Sequence, residues 1–364
     1  MMKKLRVIVF TLGLTVALIG CGKKGVQEET QKEPETQKQE VETESESESE
    51  TETEQLTDGV YSYLTGELVS EEIGRKRPIA VMLNNIIDGV PQAGIENASV
   101  VYEAPVEGNY TRLMGIFEDY KDLEKIGSVR SSRLYYVSYA MEFEAIYVHY
   151  GQAYYALTLL DRDDVYNLNG MDGSVGSQVF YRTQDRVAPH NAYTSSQGIE
   201  KGMEIKNYSD EYSSSYSGHY NFASVDAEIN LDGEVANTVK PGYTVNKPWF
   251  EYDEDDQLYY RFQYDDKQVD ELTDHQLAYK NIILQYSPWR NADENGYLEI
   301  DTVAEGEGKY ITNGKAIDIT WKKDDEFGIT KYYDSFGQEI AMNTGKTWVC
   351  IIQDTKIDHV EITE

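Results

Sequence analysis

The chain has 364 residues, 65 of them acidic and 33 basic, for a formal net charge of −32. This excess of negative charge excludes a nucleic-acid partner, because a phosphate backbone needs clustered Lys and Arg on an attractive surface. It also works against adsorption to anionic lipid. At 40% hydrophobic and 12% aromatic, the composition supports one or two packed cores, and the 30 tyrosines read first as strand formers and second as sugar binders.

Lys3, Lys4 and Arg6 precede VIVFTLGLTVAL, an apolar run of 12 residues that is too short to span a bilayer comfortably. The run ends in Leu18-Ile19-Gly20-Cys21, which resembles a lipobox. Residues 1–20 are therefore expected to be a signal peptide, with cleavage before Cys21 and lipid attached to it; an uncleaved anchor, or an ordinary secretory signal with an incidental cysteine, is the competing reading. Lipidation would hold the protein on the outer face of the cytoplasmic membrane through a lipid anchor. Residues 21–58 are then an acidic tether. EVETESESESETETEQ alternates Glu with Ser or Thr and has too little apolar surface to fold. Extended, it reaches on the order of 100 Å.

A folded pattern starts near Val60. RPIAVMLNN (77–85) is a buried strand, and residues 98–120 are two strands joined at Gly108-Asn109, a tight-turn dipeptide. That turn sets Glu107 opposite Tyr110, which places Glu103, Glu107 and Arg112 on one sheet face and Leu113 on the apolar face. SSRLYYVSYAMEFEA (131–145) carries apolar residues at 134, 137, 141 and 145, a helical stripe, with Ser131 as its cap. AIYVHYG (145–151) is a strand, and the capping box at Thr194–Gln197 opens a helix that runs to about Tyr208. From about Lys240 short apolar or alternating runs follow one another, with Gly, Asn and Asp between them, which is an all-β pattern. The expected architecture is an α+β N-terminal domain (59–240) followed by a β-rich C-terminal domain (241–364). Cys350, in TWVCIIQ, is the one thiol left after Cys21 and reads as a buried core residue.

The arginines are concentrated. Residues 75–193 hold eight Arg and three Lys, whereas 194–364 hold two Arg and thirteen Lys. Solubility needs only charge, but the guanidinium fork holds a carboxylate or phosphate through two parallel hydrogen bonds. In GSVRSSR (127–133), Arg130 and Arg133 would sit at the positive end of a helix dipole, so something anionic should compensate them. Either an external ligand or an internal Glu103, Glu107 and Arg112 network would serve. Arg112, Arg130 and Arg133 are the expected anion holders, with His190, Asn191 and Asn84 orienting the ligand. His190 follows the stiff Pro189 in APHNAYT, and His149 in VHYG is a second acid–base candidate.

These stretches resemble a known family. RPIAVMLNN, PQAG, VVYEAPVEG-YTR, GSVRSSR, VHYG and APHNAYT, in that order, are similar to the N-terminal domain of YerB-like lipoproteins of Gram-positive bacteria, and GKYITNGKAIDITW, DSFGQEI and NTGKTWV are similar to its C-terminal domain. The resemblance implies an extracytoplasmic lipoprotein with two linked domains and supplies no reaction. It marks Asn84, Gln92, Glu103, Glu107, Arg112, Arg130, Arg133, His149, Arg182, His190 and Asn191, so Arg182 joins the ligand-binding set. Ser128 and Asn109 stand where many members carry Pro and a second Gly, and neither change removes a charge.

No cofactor and no metal are expected. The five histidines are scattered without HExxH, and Asn291–Gly296 begins like a calcium loop but has Thr302 at position twelve, so it reads as a turn. The first reading is a cell-surface lipoprotein that binds an anionic ligand of the cell-wall class, a glycan or its peptide. Two other readings stay open: a wall hydrolase with Glu103 or Glu107 as acid and His149 nearby, and a protein-interaction scaffold without a small ligand.

Overall fold

Eleven strands of the chain meet in one sheet. They are β1 (Ile79–Leu83), β2 (Val100–Pro105), β3 (Thr111–Phe117), β4 (Ile146–His149), β5 (Asn167–Asn169), β6 (Glu234–Val235), β7 (Asn281–Ser287), β8 (Glu305–Thr312), β9 (Lys315–Lys322), β10 (Lys331–Tyr333) and β11 (Thr347–Gln353). Their order across the sheet is β6-β9-β8-β7-β11-β2-β3-β1-β4-β5, with β10 also on β9. The computed structural model describes residues 59–364. The expected signal peptide, Cys21 and the acidic tether lie outside them. Among the described residues no helix is long and apolar enough to cross a membrane.

The first half is α+β and the second half is nearly all strand. What joins them is β11, which runs parallel to β7 on one side and parallel to β2 on the other, with Thr347 opposite Val100 and Cys350 opposite Glu103. One sheet therefore crosses from the C-terminal into the N-terminal region, and residues 59–364 form one compact unit. Strands β1, β2, β3, β4, β7 and β11 are buried along their whole length. A sheet covered on both faces calls for such unbroken apolar runs rather than alternation. Cys350 is a buried thiol of this core.

Helix α1 (Leu134–Met141) covers one face, packing Tyr136, Val137 and Ala140 against Met82, Tyr102 and Met114. The opposite face is covered by α2 (Ser196–Lys206) and by a second sheet of six strands, which bring Ile199, Phe250 and Tyr259 against Val81, Val101 and Leu113. α1 is buried on nearly every side, so the stripe read from the sequence is only part of its apolar surface. Its N-cap is Arg133, not Ser131, whose hydroxyl donates to the Tyr150 carbonyl instead. The cap of α2 is Ser195, one residue later than expected, because Thr194 is held in a strand and its hydroxyl donates to the Val179 carbonyl.

The β2–β3 hairpin has a different register from the one the Gly108-Asn109 turn suggests. A 3-10 turn at Glu107–Asn109 makes Ala104 face Arg112 and Glu103 face Leu113. A one-residue slip moves every side chain to the other face. Arg112 thus lies on the face of Tyr102 and Ala104, toward α1, while Leu113 and Glu103 look toward the second sheet.

Two buried charge nodes tie the layers together. Glu103 and Arg261 are both fully buried and paired at 2.5 Å, and Asn85, Thr111 and Asn246 donate to the other Glu103 oxygen. On the α1 side, Glu142 accepts from Lys323 at 2.6 Å, from His219 at 2.8 Å and from the backbone and hydroxyl of Thr330. Burial alone would push the Glu142 carboxyl up, but the Lys323 ammonium and the His219 ring outweigh it and hold it at about 2.

Lys323→Met leaves Glu142 buried without its cation, and is expected to lower the unfolding free energy by about 3–5 kcal/mol, read as a fall in the urea midpoint. The carboxylate's contribution is fully present above the ordinary value of 4.5 and is lost as pH falls through about 2. The stability gap between wild type and Glu142→Gln should therefore close over that interval in acid unfolding.

Candidate functional site

The GSVRSSR stretch is inserted between the C-terminal ends of the parallel neighbours β1 and β4. Val129 bridges Leu83, the Arg130 N–H donates to the Met82 carbonyl at 2.9 Å, and the Arg130 carbonyl accepts from the Tyr150 N–H at 3.0 Å. The Ser132 N–H donates to the Gly151 carbonyl at 2.9 Å. The carboxyl ends of parallel strands are where open α/β sheets leave a crevice for ligands. Arg112 arrives at the same end of the sheet, from the start of β3.

The three arginines meet, with different partners. Arg133 is taken by Glu107 through a two-pronged pair, Nε to Oε1 at 2.6 Å and Nη2 to Oε2 at 2.5 Å. Partial burial works against the Glu107 carboxylate, but the Arg133 guanidinium outweighs it and lowers the pKa. Arg112 is 8% exposed and donates to the Ser131 carbonyl. Arg130 donates to the Pro189 carbonyl at 2.9 Å, and its Nε is buried without a partner. Arg182 donates to Asn191 Oδ1 at 2.7 Å and lies 4.7 Å over the Tyr150 ring. Among the described residues no carboxylate lies within ion-pair distance of Arg112, Arg130 or Arg182.

Their electrostatics record that imbalance. Burial, then Arg133 and Arg130, press the Arg112 guanidinium down to about 10. Burial, then Arg133 and Arg182, lower Arg130. Four guanidiniums with one carboxylate among them repel each other, and an incoming anion would relieve the repulsion.

His190 and Asn84 border this cluster. Asn84 Nδ2 donates to His190 Nδ1 at 2.9 Å and to Ser128 Oγ at 3.3 Å, while Asn84 Oδ1 accepts from the Ile86 N–H. With Nδ1 accepting, a neutral His190 carries its proton on Nε2 and has a donor to offer. Burial and the neighbouring Arg130 lower its pKa, against a smaller pull from Asp88. Asn191 also donates to the Thr183 carbonyl and so steadies the Arg182 strand. Gln92 donates to the Asn84 carbonyl and holds that loop from below.

Other candidates are placed elsewhere. Glu103 is fully buried against Arg261 on the opposite face of the sheet, which removes it as an acid. Glu107, with its pKa lowered by Arg133, lacks the protonated carboxyl that an acid catalyst needs. His149 is fully buried, its ring nitrogens facing the Gly151 carbonyl at 2.8 Å and Asn167 Oδ1 at 3.2 Å. It anchors Gly151, which needs its φ of +77° to bring its carbonyl to Ser132, and so supports the arginine segment from underneath. The Asn291–Gly296 stretch is the turn between the paired strands Trp289–Asn291 and Leu298–Ile300. Sequence reading missed Arg261, Lys323 and the Ser131 carbonyl, since none has a local signal; Tyr150, the platform under Arg182, lies within the VHYG stretch.

Comparison with known proteins points to one family. The model described as "Protein of unknown function (DUF3048) N-terminal domain" matches residues 64–209, and that of its C-terminal domain matches residues 238–349. The chain is 30% identical over 292 residues to "Putative lipoprotein YerB" of Bacillus subtilis (strain 168), covering 80% of this chain and 86% of that one. The crystal structure of YerB protein from Bacillus subtilis is similar at a TM-score of 0.73 and 28% identity, covering 84% of this chain and all of that one.

Replacing Arg130 by Gln removes the cation that depresses His190. The His190 titration midpoint, followed by NMR of the ring protons, should rise toward the ordinary imidazole value.

Proposed function

This chain belongs to the YerB-like lipoprotein family of two linked domains of unknown function, and from that premise we propose that it is a lipid-anchored surface protein whose N-terminal region binds an anionic component of the cell wall. The anchor is Cys21 and the spacer is the acidic tether that follows it. Arg112, Arg130 and Arg182 grip the anion; His190 donates from Nε2; Asn84 and Asn191 keep the donors in place. Arg133 shares its fork with Glu107 and sets the position of the cluster.

The observation that carries this reading is the set of guanidiniums without a carboxylate partner in a protein of net charge −32. A purely internal ion-pair network would have used the acidic residues that the chain has in excess. The geometry gives less support to a hydrolase, because Glu103 is sealed inside and Glu107 is paired. Charge steering toward a site of this kind weakens as salt rises.

Residues 59–364 are expected to co-sediment with purified Gram-positive cell walls. Changing Arg112 and Arg130 together to Lys keeps the charge and removes the forks, and should weaken that binding about tenfold, equivalent to 1.4 kcal/mol. Equal pelleting of the two proteins, both folded, would defeat the reading, and pelleting of neither would turn the search to protein partners.

A further inference from the structure

On the other side of the β2–β3 hairpin tip lies a cavity of about 300 Å³ that the arginine cluster does not use. Gly108 borders it, while the preceding Glu107 is turned away to Arg133. Its other walls come from the Trp289–Asn291 strand and the end of β11. A volume near the small end of ligand sites, about 300–1,000 Å³, suits one ring with a substituent.

The side chains in it are unusually idle. Gln353 is only 6% exposed, and its amide makes no hydrogen bond to the described residues. Neither amide atom is sealed in the interior, and Gln353 lines the cavity. Its amide is open to pair with a ligand, and one such hydrogen bond contributes about 0.5–1.5 kcal/mol. Trp289 packs against the core on one side and spends its indole N–H on Thr355 Oγ1 at 2.8 Å, which fixes the ring. Lys356 Nζ lies over the Trp289 ring, 5.8 Å from its centroid, and has no carboxylate partner among the described residues, so a ring that stacks on the indole displaces only this ammonium. The exposed Asn109 and Asn291 also line it, their amides without side-chain partners among the described residues.

An apolar ligand would leave the amides unpaired. A pyranose ring meets both requirements, offering an apolar face of C–H groups to the indole and polar groups around its edge. Gln353 adds a preference. A trans acetamide carries its N–H and C=O on opposite edges, so the Gln353 amide meets one of them, its N–H₂ donating to the acetamido carbonyl. We propose that this cavity is a saccharide subsite for an N-acetylated hexosamine, with Trp289 as platform and Gln353 as reader of the acetamido group. The subsite uses none of the arginines and stands whether or not they hold an anion.

The test is a titration of residues 59–364 with chitotetraose and with cellotetraose, followed by calorimetry and tryptophan fluorescence. Chitotetraose should bind saturably, and cellotetraose about tenfold more weakly, the factor expected when one hydrogen bond to the acetamido group is lost. Trp289→Ala and Gln353→Ala should each weaken chitotetraose binding about tenfold, and Trp289→Phe, which keeps a flat ring, should retain most of it. The Arg112→Lys, Arg130→Lys protein should bind chitotetraose like wild type, which separates this site from the anion site. Absence of saturable chitotetraose binding, or binding unchanged in Trp289→Ala, would overturn the subsite. Equal affinity for the two sugars would overturn the acetamido assignment.

Discussion

The fully buried ion pair between Glu103 and Arg261 is the constraint around which this molecule is arranged. Taking two charges out of water costs several kcal/mol per ion unless geometry and further hydrogen bonds offset it. Here Arg261 lies between the rings of Phe250 and Trp348, 4.6 and 4.4 Å from their centroids. Glu103 is bonded by Asn85, Thr111 and Asn246 as well. The pair can therefore exist only when β2, β3, the loop after β1 and the second sheet are all in place. It works as a lock on register, since a slip of the hairpin would withdraw Glu103 from Arg261.

That lock reaches the arginine cluster through short links. Asn85, bonded to Glu103, is followed back along the chain by Asn84, which bonds His190. Thr111, bonded to Glu103, is followed by Arg112, which points to the other face of the sheet because neighbours in a strand alternate. One buried pair thus fixes both a donor loop and a cation of the candidate site. The second node, Glu142 with Lys323 and His219, does similar work beneath α1, whose N-cap is Arg133.

Much of this was legible beforehand, for definite reasons. Runs such as IAVML and WVCII announce strands buried on both faces, and the later hairpins announce a β-rich region, because these are local patterns of apolar residues and turns. The bias toward Arg in residues 75–193 signalled anion recognition or ion pairing; Arg133 pairs with Glu107, while Arg112 has no carboxylate within ion-pair distance among the described residues. What misled was the hairpin turn. Gly108-Asn109 is a good two-residue turn, but the chain makes a longer one, so Arg112 faces α1 and not Glu103. Tertiary packing outweighs a local turn preference when burial on both faces is at stake.

The amino-acid sequence by itself determined the order and type of the elements, the acidic run that reads as a tether and the concentration of arginines, since each rests on residues close together in the chain. Only the tertiary structure decided which of those arginines are neutralised and that the two halves share a sheet through β11. It also decided that Glu103 is sealed within the protein. The physical reason is distance along the chain: Glu103 and Arg261 are 158 positions apart, and no local pattern can choose a partner that only folding brings within 2.5 Å.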